Sequence, residues 1–101
     1  MSAALPGAPT LTYDSSKTEQ TLRVGSRCLV EIDVSGLPLP TITWKKDGQP
    51  IEDTSILSVR DDFTSLSIPK VKDSDTGMYT ITAENSVGRA TATFDVEIKG
   101  K

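Results

Sequence analysis

Along most of this chain, apolar and polar residues alternate one for one. Between Arg27 and Ser35, Cys28, Val30, Ile32 and Val34 share one side. Arg27, Glu31, Asp33 and Ser35 share the other, and only Leu29 breaks the polar set. A period of two is the mark of a strand with one buried and one wet face. The same rule predicts further strands. Residues 20–24 turn Leu22 and Val24 inward, residues 41–46 turn Ile42 and Trp44 inward, and residues 55–60 turn in Ile56 or Leu57 and then Val59. Residues 64–68 direct Leu66 and Ile68 to the core, and Val71 plugs it between Lys70 and Lys72. Tyr79, Ile81 and Ala83 face in, with Met78, Thr80 and Thr82 facing out. The last strand, residues 89–98, turns in Ala90, Ala92, Phe94, Val96 and Ile98. Residues 9–13 make a short edge strand that starts at a proline, where no ladder donor is needed. No stretch shows a helical period of useful length.

Turn chemistry falls between these runs. Asp47-Gly48 is the strongest hairpin signal in the chain. Asn85-Ser86-Val87-Gly88 reads as a four-residue connection, with left-handed backbone expected at Asn85 and Gly88. In the run from Asp73 to Gly77, the Asp75 carboxylate can accept backbone N–H groups and Gly77 can take a positive φ. Tyr79 follows, with a ring for the core and a hydroxyl that needs a partner at that turn. Short strands separated by turns roughly every 8–12 residues predict an all-β sandwich of two antiparallel sheets with Greek-key connections. The domain is expected over residues 9–98, with residues 1–8 a linker or residues left by expression, and 99–101 a tail.

Composition narrows the chemistry. The chain has 101 residues, one domain by size. It holds one cysteine, Cys28, and no histidine. No intrachain disulfide, Cys/His metal cluster or histidine-based triad can be assembled. The pattern puts Cys28 in the core as a small hydrophobe. Eleven basic and 14 acidic residues give a net charge of −3, with both signs interspersed. That argues against nucleic acid and anionic membrane surfaces as partners. Asn85, the only asparagine, is followed by Ser86-Val87 and makes no glycosylation sequon. No apolar run approaches the roughly 20 residues of a membrane span. Residues 1–9 have neither the basic nor the apolar region of a signal peptide. These features point to the cytoplasm, and no cofactor is expected.

Few residues suggest chemistry. Asp73-Ser74-Asp75-Thr76-Gly77 looks like the start of a calcium loop, but it lacks the third acidic ligand and the distal glutamate. Asp61-Asp62 reads as a solvated turn. Lys45-Lys46 with Lys70 and Lys72 offers a basic patch for acidic filament surfaces, or simply keeps strands soluble. Asp47-Gly48 and Asn85 to Gly88 are candidate contact loops that hairpin geometry also demands.

Several of these motifs stand in a familiar order. The run from Ile32 through Gly36-Leu37-Pro38 to Trp44-Lys45-Lys46-Asp47-Gly48 resembles strands B and C of an intermediate-set (I-set) immunoglobulin domain. Leu66-Ser67-Ile68-Pro69 is similar to its strand E. Asp75-Thr76-Gly77-Met78-Tyr79, a "tyrosine corner", and Ala83-Glu84-Asn85-Ser86-Val87-Gly88 are similar to strand F and the F–G turn. The texture resembles the intracellular modules of giant muscle proteins such as titin, twitchin, projectin and obscurin. The resemblance implies a core of Ile32, Trp44, Leu66, Asp75, Gly77, Tyr79 and Ile81, and a terminal stretch near residues 10–24 lying beside the last strand.

The chain departs from the family where a disulfide would join strands B and F over Trp44. Ile32 and Ile81 stand there instead. A disulfide closing a loop of about 50 residues contributes about 4 kcal/mol in the chain-entropy model. Two buried isoleucines recover about 1.5–3 kcal/mol each. The exchange is near break-even and independent of redox state, which suits a reducing compartment. The expected function is therefore a non-catalytic module of an intracellular, sarcomeric or cytoskeletal protein, monomeric as an isolated domain. Its expected partners are neighbouring immunoglobulin or fibronectin-type domains, myosin, actin or another scaffold. The alternatives are a cell-surface adhesion or receptor domain, and an accessory domain of a giant muscle protein kinase.

Overall fold

Most of the alternating runs become strands because each has one apolar face to bury, and two sheets stacked on those faces bury them together. A computed structural model describes residues 5–100. Its strands are β1 (Gly7–Thr12), β2 (Glu19–Arg23), β3 (Cys28–Leu37), β4 (Thr41–Lys46), β5 (Gln49–Pro50), β6 (Leu57–Val59), β7 (Phe63–Ile68), β8 (Gly77–Glu84) and β9 (Arg89–Lys99). One sheet has the order β1-β3-β7-β6 and the other β2-β9-β8-β4-β5. All pairings are antiparallel except β2 on β9, which run parallel from Glu19↔Asp95 to Arg23↔Lys99.

The core lies between the sheets. Cys28, Val30, Ile32 and Val34 of β3 face Trp44, Tyr79, Ile81, Phe94 and Val96 of the other sheet, and all are buried. Ile32 and Ile81 have no exposed surface, and Trp44 lies in register with Ile81. One polar side chain joins them. Thr64 of β7 is fully buried, accepts a hydrogen bond from Trp44 Nε1 at 2.9 Å, and donates to the Ser58 carbonyl at 2.8 Å. The tryptophan is thereby tied across the sandwich to the opposite sheet.

Some expectations need correction. Val24 is 46% exposed, because β2 ends at Arg23 and the chain turns there. Residues 55–60 do not form one strand. Thr54–Ile56 is a 3-10 turn capped by Asp53, and only Leu57–Val59 pairs, leaving Val59 54% exposed on a short edge strand. Gly7 and Ala8, assigned to the linker from sequence, belong to β1, and Lys99 belongs to β9. The expected linker residues 1–4 and tail residue 101 lie outside the described residues. Asp47 (φ 51°) and Gly48 (φ 82°) form the hairpin turn, but Gly77, Asn85 and Gly88 take no positive φ. Gly77 is small for another reason. A Cβ there would lie 2.7 Å from Asp47 Oδ2.

Cys28, the only cysteine, is buried, and burial pushes its thiol pKa up. The melting temperature is therefore expected to be the same with and without reductant. A drop on adding reductant in a thermal melt would expose a dependence on intermolecular bonds.

Candidate functional site

Three places on the sandwich carry the residues singled out from sequence. The first is the turn before β8. Asp73–Asp75 is a single 3-10 turn, and Lys72 N–H donates to Asp75 Oδ2 at 2.9 Å. Tyr79 reaches back from β8, and its hydroxyl donates to the Asp75 carbonyl at 2.5 Å. Asp47 Oδ1 accepts from Met78 N–H at 2.9 Å, which is why the Asp47 carboxylate crowds Gly77. Asp47, Asp75 and Tyr79 thus work on the fold at this turn.

Burial first, then the Asp75 carboxylate, raises the Tyr79 phenol above its ordinary pKa of 10.0. A phenol held neutral in the fold gives stability that is complete below the unfolded value. That stability is lost as pH rises beyond it, because the unfolded chain releases its proton first. Tyr79→Phe is expected to lose about 1 kcal/mol at neutral pH, the net worth of one hydrogen bond. Its stability should also fall less steeply above pH ~10 than that of the parent, as read by urea unfolding at each pH.

The second place is an open groove of about 770 Å³ beside β5, walled by Pro50, Ile51, Ile56 and Pro69. Lys46, Lys70 and Lys72 line it, but so do Glu52, Asp53 and Asp75. The charges cancel, so no basic patch forms. Lys46 Nζ is bound to the Ser74 carbonyl. Lys45 is not part of the groove. Adjacent residues of a strand point to opposite faces, and Lys45 stands exposed on the outer face of β4.

The third is the loop end near β1. Asn85 Nδ2 donates to the carbonyls of Gly7 (2.9 Å) and Pro38 (3.0 Å), and its Oδ1 accepts from Val87 and Gly88 N–H. Its amide is fully engaged in joining three segments. Gly88 packs under Ala8, where a Cβ would come within 3.0 Å. Both residues therefore serve the fold first. Asp61 and Asp62 are exposed. Among the described residues no group of three or more acidic, histidine or cysteine side chains is placed to hold a metal ion, and no helix is long and apolar enough to cross a membrane.

The immunoglobulin I-set domain family matches residues 12–98. Protein sax-3 of Caenorhabditis elegans is 38% identical over 86 residues, covering 85% of this chain and 7% of the relative. Vascular endothelial growth factor receptor 3 of Danio rerio is 33% identical over 88 residues, covering 87% of this chain and 6% of the relative. The chain thus spans less than a tenth of either relative's length. A crystal structure of the titin domains z1z2 in complex with telethonin superposes with a TM-score of 0.83 at 30% identity, covering 98% of this chain and 50% of that one.

Proposed function

The chain belongs to the immunoglobulin I-set family, and we propose that it acts as a non-catalytic structural and docking module of a longer intracellular protein of the sarcomere or cytoskeleton. The observation that carries this reading is the parallel pairing of β2 with β9. Tension applied through the two chain ends loads parallel strands in shear, so five residue pairs resist together. Glu19–Arg23 forms the paired stretch, and Val24 N–H extends it by donating to the Lys99 carbonyl at 3.0 Å. The residues before it, in β1, pair with β3 in the other sheet, so the stretch 10–24 expected to lie beside the last strand is divided between the sheets. The core closed by Ile32 and Ile81, with no covalent bridge, fits a reducing compartment.

Single-molecule stretching between the chain ends tests the load-bearing role. Rupture is expected in one step, at a force that drops sharply when Glu19–Arg23 is replaced by a glycine–serine run. Equal forces for both, with the altered chain shown folded by circular dichroism, would sink it. A titin pair in complex with telethonin supports a docking role for such modules. Co-sedimentation with actin and with myosin filaments distinguishes docking from pure spacing.

A second reading, a module of a cell-surface protein, is favoured by the 33% identity to a growth factor receptor. Labelling of intact cells with a membrane-impermeant reagent decides between the two, because only a surface protein is labelled.

A further inference from the structure

The outer face of the five-stranded sheet is not an ordinary charged surface. Thr41-Ile42-Thr43, Thr80-Ile81-Thr82 and Thr91-Ala92-Thr93 repeat one motif on three adjacent strands. Strand register sets them in rows. Thr43, Thr82 and Thr91 form one row, and Lys45, Thr80 and Thr93 the next. Above lies the row Thr41, Glu84, Arg89, and below lie Met78 and Asp95. Met78 is 50% exposed, so an apolar side chain extends the threonine block. Apart from Lys45, the charges sit at the two ends of the face, and on β9 they are of opposite sign, Arg89 above and Asp95 below. Arg89 contacts Glu84 only loosely, at 3.6 Å, with both side chains more than half exposed.

This pattern is self-complementary. Consider a two-fold axis lying in the face, across the strands, midway between the two threonine rows. It lays the Thr43-Thr82-Thr91 row of one copy on the Lys45-Thr80-Thr93 row of the other. The same rotation brings Arg89 onto Asp95 of the second copy, twice over. An axis along the strands would instead set Arg89 against Thr41 and pair no charges. We infer that this threonine face is a self-association surface through which two copies of the module pair face to face, held in register by reciprocal Arg89–Asp95 contacts.

Size sets the strength. Three strands about 4.8 Å apart and four rows about 6.8 Å apart give roughly 400 Å² per copy, about half of a standard interface. The pairing is therefore weak, present at millimolar and not at micromolar protein, and the isolated domain is monomeric when dilute. Repetition along an array would multiply it by avidity. The two Lys45 side chains meet at one margin of the pair and limit its affinity.

The test is NMR titration of the protein with itself, with sedimentation equilibrium. Concentration-dependent amide shifts are expected on the outward residues of β4, β8 and β9. Arg89→Asp alone and Asp95→Arg alone should each weaken association about tenfold, and the double variant should restore it. Lys45→Thr, which completes a threonine row, should tighten it. Thermal melts establish that each variant is folded. A single monomeric species up to millimolar protein, shifts confined to another face, or no restoration in the double variant would overturn the proposal.

Discussion

Ile81→Ala is expected to destabilise the domain by about 2–5 kcal/mol, the range for truncating a fully buried aliphatic side chain. Ile81 has no exposed surface and stands in register with Trp44. The neighbouring indole cannot move to fill the space, since Trp44 Nε1 is tied to Thr64. The upper half of the range therefore applies. A domain of this size has about 5–15 kcal/mol in all, so the loss is a large share of it. Urea unfolding should show a lower midpoint with an unchanged slope. Ile32→Ala should behave alike. The double variant should fall short of the sum if the two side chains line one shared space. A loss below about 1 kcal/mol for Ile81→Ala would mean that the core collapses around the gap, and that isoleucine does not replace the covalent bridge.

Thr64→Val is the second large effect. Valine matches threonine in shape, so packing is kept and only hydrogen bonds are lost. The buried Trp44 N–H loses its partner, and so does the part-buried Ser58 carbonyl. An unsatisfied buried group costs about 1–3 kcal/mol, and a loss of about that size is expected, because water can reach the carbonyl. Thr64→Ser keeps the hydroxyl and should retain most of that loss as stability, apart from the missing methyl. Trp44 fluorescence provides a separate readout, since freeing the indole N–H changes its surroundings. If Thr64→Val is as stable as the parent by urea unfolding, the hydroxyl does not link the sheets.

Thr64 also shows where sequence reading stops. It shares parity with Leu66 and Ile68, so the alternation already placed it on the inner face. Its polarity hid it, because the group that makes burial tolerable lies 20 residues away on another sheet. Gly77 shows the same limit in another form. Its position in a turn suggested backbone freedom, yet the constraint is the Asp47 carboxylate approaching from the β4–β5 hairpin. Lys45-Lys46 and Lys70 with Lys72 read as one basic patch in the sequence, although Lys46 and Lys70 lie 24 positions apart. Strand alternation alone separates Lys45 from Lys46, and only the groove shows the acids interleaved with the others.

The amino-acid sequence by itself determined most of the strands, the layered core and the absence of an intrachain disulfide. These follow from the period of two and from cysteine count, which are local properties of the chain. The tertiary structure decided which strands became neighbours and in what register. Sheet stacking joined Trp44 to Thr64, strand pairing split residues 10–24 between two sheets, and register aligned three threonine motifs into one face. Contacts between residues far apart in sequence depend on how the sheets stack, and no local pattern encodes that.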